Sequence, residues 1–137
     1  MDDAVARYRA ASEAQDVDGV IATLAPGAEL VSPISGRLVF RGTDDLRALF
    51  TALFATVARF DWDREVGDGP VRVLVGSAAV GPFELTDAMV VELDGEGRIL
   101  RFRPHLRPWL ALTVLALTLG PRVARHPGVV RRALRRP

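Results

Sequence analysis

The feature that most constrains this chain is the stretch from Thr43 to Val57, where Leu46, Leu49, Phe50, Leu53, Phe54 and Val57 recur at three- and four-residue intervals. That recurrence winds one broad apolar stripe down a helix, which must be covered by a sheet. Thr43 is the expected N-cap of what should be the longest regular helix, with Asp44 and Asp45 placed to stabilise its positive end. The strands follow directly. Phe60, Trp62 and Val66 alternate with Asp61, Asp63 and Glu65, the pattern of a half-buried strand. Val71 to Val80 runs apolar, with Gly76 as a candidate bulge. Gly81-Pro82 breaks that run, Phe83 to Leu93 is a long strand, and the DGEG at 94–97 is a hairpin turn leading into Arg98–Leu106.

Upstream of the stripe, Ala4 to Ala14 has helical spacing that turns Tyr8 inward. Asp16 is expected to cap a second helix carrying Val17, Val20, Ile21 and Leu24, and Pro26-Gly27 is expected to end it. Ala28 to Ser32 then reads as a short strand closed by Pro33, and Ser35-Gly36 turns the chain into 37–40. Helices first and a curling antiparallel sheet afterwards define an α+β domain over 1–107.

Composition narrows the chemistry. With 137 residues, about half of them apolar, one domain with a real core fits and a second does not. The absence of Cys excludes disulfides and thiolate metal sites, and two His make a protein-only zinc site improbable, so neither a metal nor a cofactor is expected. The first ten residues, MDDAVARYRA, lack the pattern of a secretory signal, and a cytoplasmic location is the default.

Charge is unevenly spread. Residues 1–99 carry nine Arg against seventeen acids, a net of −8, whereas 100–137 carry nine Arg and no acid. The tail should therefore meet something different from solvent: the acidic body, another subunit or an anionic surface. Within it, Trp109 to Leu119 is apolar on nearly all sides and bounded by Pro108 and Gly120-Pro121. As a helix it would span about 16 Å, too short for a bilayer core of roughly 30 Å. Residues 108–137 thus read as an apolar helix with an Arg-rich end, which packs on the domain or in a dimer interface, or makes peripheral contact with a membrane through 109–136. Nucleic acid is not expected, since no aromatics interleave with the arginines and the acidic body repels phosphate.

The runs VARYRAASEAQDVDGVIATLAPGAELVSP, RGTDDLRALF and VVELDGEGRILRFRP, in that order and spacing, resemble the nuclear transport factor 2-like, or SnoaL-like, superfamily from about Val5 to Leu106. The resemblance implies a cone: helices close one end of a curved sheet around a mostly apolar pocket suited to a small hydrophobic molecule. It also implies a homodimer formed through the outer sheet face. Ketosteroid isomerases of this superfamily carry a first-helix Tyr, matched here by Tyr8. Ser32 stands where their general-base Asp precedes a proline, and Met89 stands where their protonated Asp lies. The Arg-x-Asp pair of the epoxide hydrolases is not reproduced, because Leu85 precedes Asp87 by two and Pro104 occupies the place of their other Asp.

Asp87 is the most informative polar residue. Strict alternation puts it in a row with Phe83, Leu85, Met89, Val91 and Leu93, so one carboxyl interrupts an apolar strand face. Burial there would raise its pKa and fit it for acid/base work. Asp87 and Tyr8 are the candidate catalytic groups for an isomerase- or hydratase-like proton transfer. Ser32, Trp62, Met89, Phe102 and Phe54 are the candidate ligand contacts. The competing expectation is a non-catalytic dimeric scaffold docked to a membrane or partner through its C-terminal helix. His105 alternates onto the face of Arg101 and Arg103, which places it at the surface or at an interface.

Overall fold

The structure is a computed structural model, and it describes residues 3–135. Helix α1 (Ala4–Glu13) is capped by Asp3, whose carboxylate accepts from the Ala6 amide at 2.9 Å. Gln15, in the left-handed region at φ 54°, reverses the chain into α2 (Val17–Ile21), where Asp16 caps through the Gly19 amide as its spacing requires.

β1 runs from Leu24 to Val31 and so includes Leu24, assigned above to the second helix. Pro26-Gly27 therefore does not end the helix, which is over by Ile21; it bulges the strand, and the pairing with its neighbour shifts between Leu24 and Glu29 with Gly27 at φ 73°. β2 (Val39–Arg41) leads through Gly42 into α3 (Thr43–Thr56). Gly42, not Thr43, occupies the cap position, at φ 88° and without a side-chain cap.

Strands β3 (Arg59–Val66), β4 (Val71–Val80), β5 (Phe83–Leu93), β6 (Ile99–Arg103) and β7 (Leu106–Arg107) complete a seven-stranded sheet. Its order is β2-β1-β6-β5-β4-β3, with β7 paired to β5; among the described residues β1–β6 is the one parallel pair. The bulge expected at Gly76 belongs to the partner strand: Trp62 faces Gly76 and Arg64 faces Val75, leaving Asp63 as the extra residue. Gly76 is what permits it, since a Cβ there would overlap the Asp61 carbonyl oxygen.

The apolar stripe of α3 lies over the concave face, where Leu46, Leu49 and Phe50 are buried with Tyr8 of α1 and Phe102 of β6. The Tyr8 ring sits 4.9 Å from Phe102 and 6.3 Å from Phe50, spacings at which tilted and edge-on aromatic pairs attract.

The longest helix is α4 (Trp109–Ala124), not α3, because Gly120 and Pro121 fail to stop it. Pro121 removes the donor to the Leu117 carbonyl, but both residues are on the exposed side, where water can satisfy that oxygen. Helix α5 (Pro127–Leu134) follows. Together they cover the cone: Ala111 and Leu115 bury against Val57, Ala78 and Leu85, while Val123, Val129 and Ala133 join the main core. The basic tail is partly neutralised by the body, for Arg132 grips the buried Asp45 carboxylate with two hydrogen bonds of 2.8 and 2.9 Å.

Candidate functional site

Between the sheet, α3 and α4 lies a cavity of about 330 Å³. Its size follows from the curvature of the sheet, which holds β5 away from α3 while the C-terminal helices close the gap. Leu30, Phe50, Leu53, Phe60, Leu85, Met89, Leu115 and Leu119 supply much of an almost wholly apolar wall. Four residues bring hydroxyl or carboxyl groups to it: Tyr8, Ser32, Ser77 and Asp87.

Asp87 arrives by strand alternation, in register with Gly76 of β4 on one side and Leu106 of β7 on the other. Pro104 interrupts the chain between β6 and β7, and the His105 amide beyond it donates to Asp87 Oδ1 at a long 3.4 Å. One weak hydrogen bond does not offset removal of a carboxylate from water. Burial therefore pushes the Asp87 carboxyl up to about 7, opposed only by that amide. At neutral pH it is present in both protonation states, the condition a proton shuttle needs.

Tyr8 faces the same cavity from α1. Its burial, reinforced by the nearby negative charge of Asp87, drives the phenol far above its ordinary pKa. It stays protonated throughout the working range, and no hydrogen bond from its hydroxyl to another described residue competes for the proton. Tyr8 thus keeps its proton and can donate a hydrogen bond without ionising, and Asp87 is a group that can give or take a proton.

The remaining candidates divide. Trp62 and Met89 line the cavity, and Trp62 is fixed there by its indole N–H donating to Ser12 Oγ at 2.8 Å. Ser12 in turn donates to the Tyr8 backbone carbonyl at 2.8 Å, which ties the Trp62 indole to the α1 backbone. Ser32 also lines the cavity, but its oxygen accepts from the Ile34 amide at 3.1 Å and serves the turn after β1. Phe102 and Phe54 are corrections. Phe102 is completely buried behind Tyr8 and Phe50, and Phe54 packs between the rings of Phe50 and Phe60, so neither is among the lining residues.

Sequence reasoning missed Ser77; it offered packing of α4 on the domain as one of its readings but did not name Leu115, Leu119 and Val123 as cavity wall. For α4 a signal existed: an all-round apolar helix has to bury one side. Ser77 had none, since strand alternation does not announce that a curved β4 shows both Ser77 and Ala78 to the same cavity. His105 is exposed, and its contribution to the site is its backbone amide.

Among the described residues no group of His, Cys, Asp and Glu is placed to hold a metal ion. An α+β cone around a largely apolar internal cavity is consistent with the nuclear transport factor 2-like fold. A model of the SnoaL-like domain matches residues 5–103, and the chain belongs to that family.

Solved structures agree on the fold. An uncharacterised protein conserved in bacteria, with a cystatin-like fold, from Silicibacter pomeroyi DSS-3 superposes with a TM-score of 0.86 at 22% identity, covering 95% of this chain and 93% of that one. A steroid delta-isomerase from Pseudomonas aeruginosa gives 0.80 at 26% identity, covering 91% and 92%. An NTF-2 like protein of unknown function from Burkholderia xenovorans LB400 gives 0.68 at 20%, covering 80% and 88%. No curated protein matches the sequence.

Proposed function

We propose that the protein binds a small, predominantly apolar carbonyl compound and moves a proton within it. The observation that carries this reading is that Asp87 and Tyr8 face one apolar cavity, the first poised between protonation states and the second locked as a donor. Such a pair is suited to enolisation. The Asp87 carboxylate takes a proton from the carbon beside a carbonyl, the Tyr8 hydroxyl holds the oxygen as negative charge develops on it, and Asp87 returns the proton at another carbon. For a β,γ-unsaturated ketone the net change is migration of the double bond into conjugation, with no atom gained or lost. The likeness to a steroid delta-isomerase supports this class of reaction.

Asp87 works here alone. Ser32 replaces the base that the isomerase resemblance places before the proline, and it has no basicity near neutral pH. The test is to mix the protein with a β,γ-unsaturated ketone and follow the ultraviolet absorbance of the conjugated product. Turnover in the wild type that is lost in Asp87→Asn supports the reading, while equal turnover in both refutes it.

A second reading is favoured by the outer side of α4, where Trp109, Leu110 and Leu117 are exposed and no charge intervenes before Arg122. It is attachment of the protein to a membrane surface or a partner through 109–136. No helix among the described residues is long and apolar enough to cross a membrane, so the contact would be peripheral.

A further inference from the structure

Helix α4 has two apolar sides with different surroundings. One side, with Leu115, Leu119 and Val123, is cavity wall; the other exposes Trp109 at 78%, Leu110 at 52% and Leu117 at 71%. The two sides meet along the cavity's edge. Gly120 and Ala124 line the cavity and are also exposed, and across from them Ile34, in the loop after β1, lines it while 58% exposed. The cavity therefore reaches the surface beside Gly120, Ala124 and Ile34, next to the exposed Leu117, and that rim carries no charge.

What covers this patch is decided by the charges around it. Arg107 precedes the helix, Arg122 and Arg125 end it, and Arg131 projects from α5; none of the four makes an ion pair with a described residue. The last acid in the chain is Glu96. A second copy docking by the same face would bring these arginines against their own equivalents, which Coulomb repulsion opposes. An apolar strip that begins at a Trp, ends in arginines and lacks acids is instead complementary to the headgroup boundary of an anionic bilayer.

We infer that α4 docks the protein on anionic phospholipid and that the cavity mouth at Ile34, Gly120 and Ala124 then opens toward the lipid, so that apolar ligand passes between bilayer and cavity without crossing water. The inference rests on the surface-attachment reading and adds to it the partner and the route. The physical reason for such a route is the low aqueous concentration of any molecule that fills an apolar cavity, set against its high concentration in lipid.

Sedimentation uses the wild-type chain, and quenching uses the same full chain carrying Trp109→Phe, which leaves Trp62 in the cavity wall as the sole indole. Bromonaphthalene serves as the apolar quencher, dissolved in phosphatidylcholine vesicles with or without phosphatidylserine. The protein is expected to sediment with the phosphatidylserine vesicles and not with pure phosphatidylcholine, and quenching of Trp62 is expected to be faster from the former. Leu117→Asp, at an exposed position, should weaken sedimentation by about tenfold and remove the rate advantage, while quencher added through water still reaches Trp62. Arg125→Glu should act in the same direction, which guards against a folding artefact of the first variant. Failure to sediment with phosphatidylserine vesicles, or a concentration-dependent dimer that Leu117→Asp disrupts, overturns attachment to lipid. Sedimentation with an unchanged quenching rate overturns the route and leaves attachment standing, and neither result touches the Asp87 chemistry.

Discussion

Two carboxyl groups of this molecule, the buried Asp45 and the half-buried Asp87 of the cavity wall, are treated in opposite ways. At the junction of α3 and α5, Asp45 is 7% exposed and held by both arms of the Arg132 guanidinium, at the dipole end of a helix that favours negative charge. In the cavity wall, Asp87 has one amide at 3.4 Å and apolar neighbours, and its pKa rises to about 7. A buried acid that has been supplied with a partner joins two elements. One left without a partner in an apolar hollow costs stability, and such sites persist where function uses the perturbation.

The largest effect that can break this contrast is on turnover. Asp87→Asn should cut isomerisation of a β,γ-unsaturated ketone by about a hundredfold or more, the usual scale of a general acid–base group, whereas Asp45→Asn should leave the rate unchanged. Comparable losses in the two variants would erase the distinction.

Stability against pH comes next. The folded pKa of Asp87 lies above its ordinary 3.8, so the folded state holds the proton more tightly than the unfolded chain does between about pH 4 and 7. The Asp87 contribution to stability is therefore fully present below pH 4, declines as pH rises to 7 and is flat above. The shift corresponds to a ceiling of about 4 kcal/mol, reduced by whatever water reaches the mouth of the cavity. Asp87→Asn should match the wild type at pH 4 and exceed it at pH 8, as read from urea midpoints at each pH. A wild type and variant that differ equally at both would show that Asp87 is solvated.

A smaller effect separates structural from functional polarity within the cavity wall itself. Ser12→Ala removes the acceptor of the Trp62 indole N–H and should cost about 1–3 kcal/mol, with a shift in Trp62 emission in the Trp109→Phe background and no new pH dependence. The smallest effect is expected at the junction. Asp45→Asn keeps an oxygen for Arg132, whose side chain is 53% exposed and stays solvated, so the loss should appear chiefly as faster amide exchange in 127–134.

The contrast also marks what was legible in the sequence. Asp16 capping α2, the α3 stripe and the DGEG hairpin are local rules, and they were read from neighbouring residues. Asp87 was found because its interruption of an apolar row is itself local. The partner of Asp45 lies 87 positions away, so no spacing reveals it. The Pro26-Gly27 bulge, the passage of α4 through Pro121 and the retreat of Phe102 and Phe54 behind the wall depend likewise on packing between distant segments. The tail was expected to pack on the mouth, in a dimer interface or on a membrane, and its inward side supplies a cavity wall that composition alone could not assign.

The most direct test is titration of the Asp87 carboxyl carbon by NMR in protein labelled with carbon-13 aspartate, using Asp87→Asn to assign the signal. The account predicts a midpoint near 7. A midpoint at about 4, that of a carboxylate in water, would mean that the cavity does not perturb Asp87 and that the poised carboxyl on which the account rests is absent.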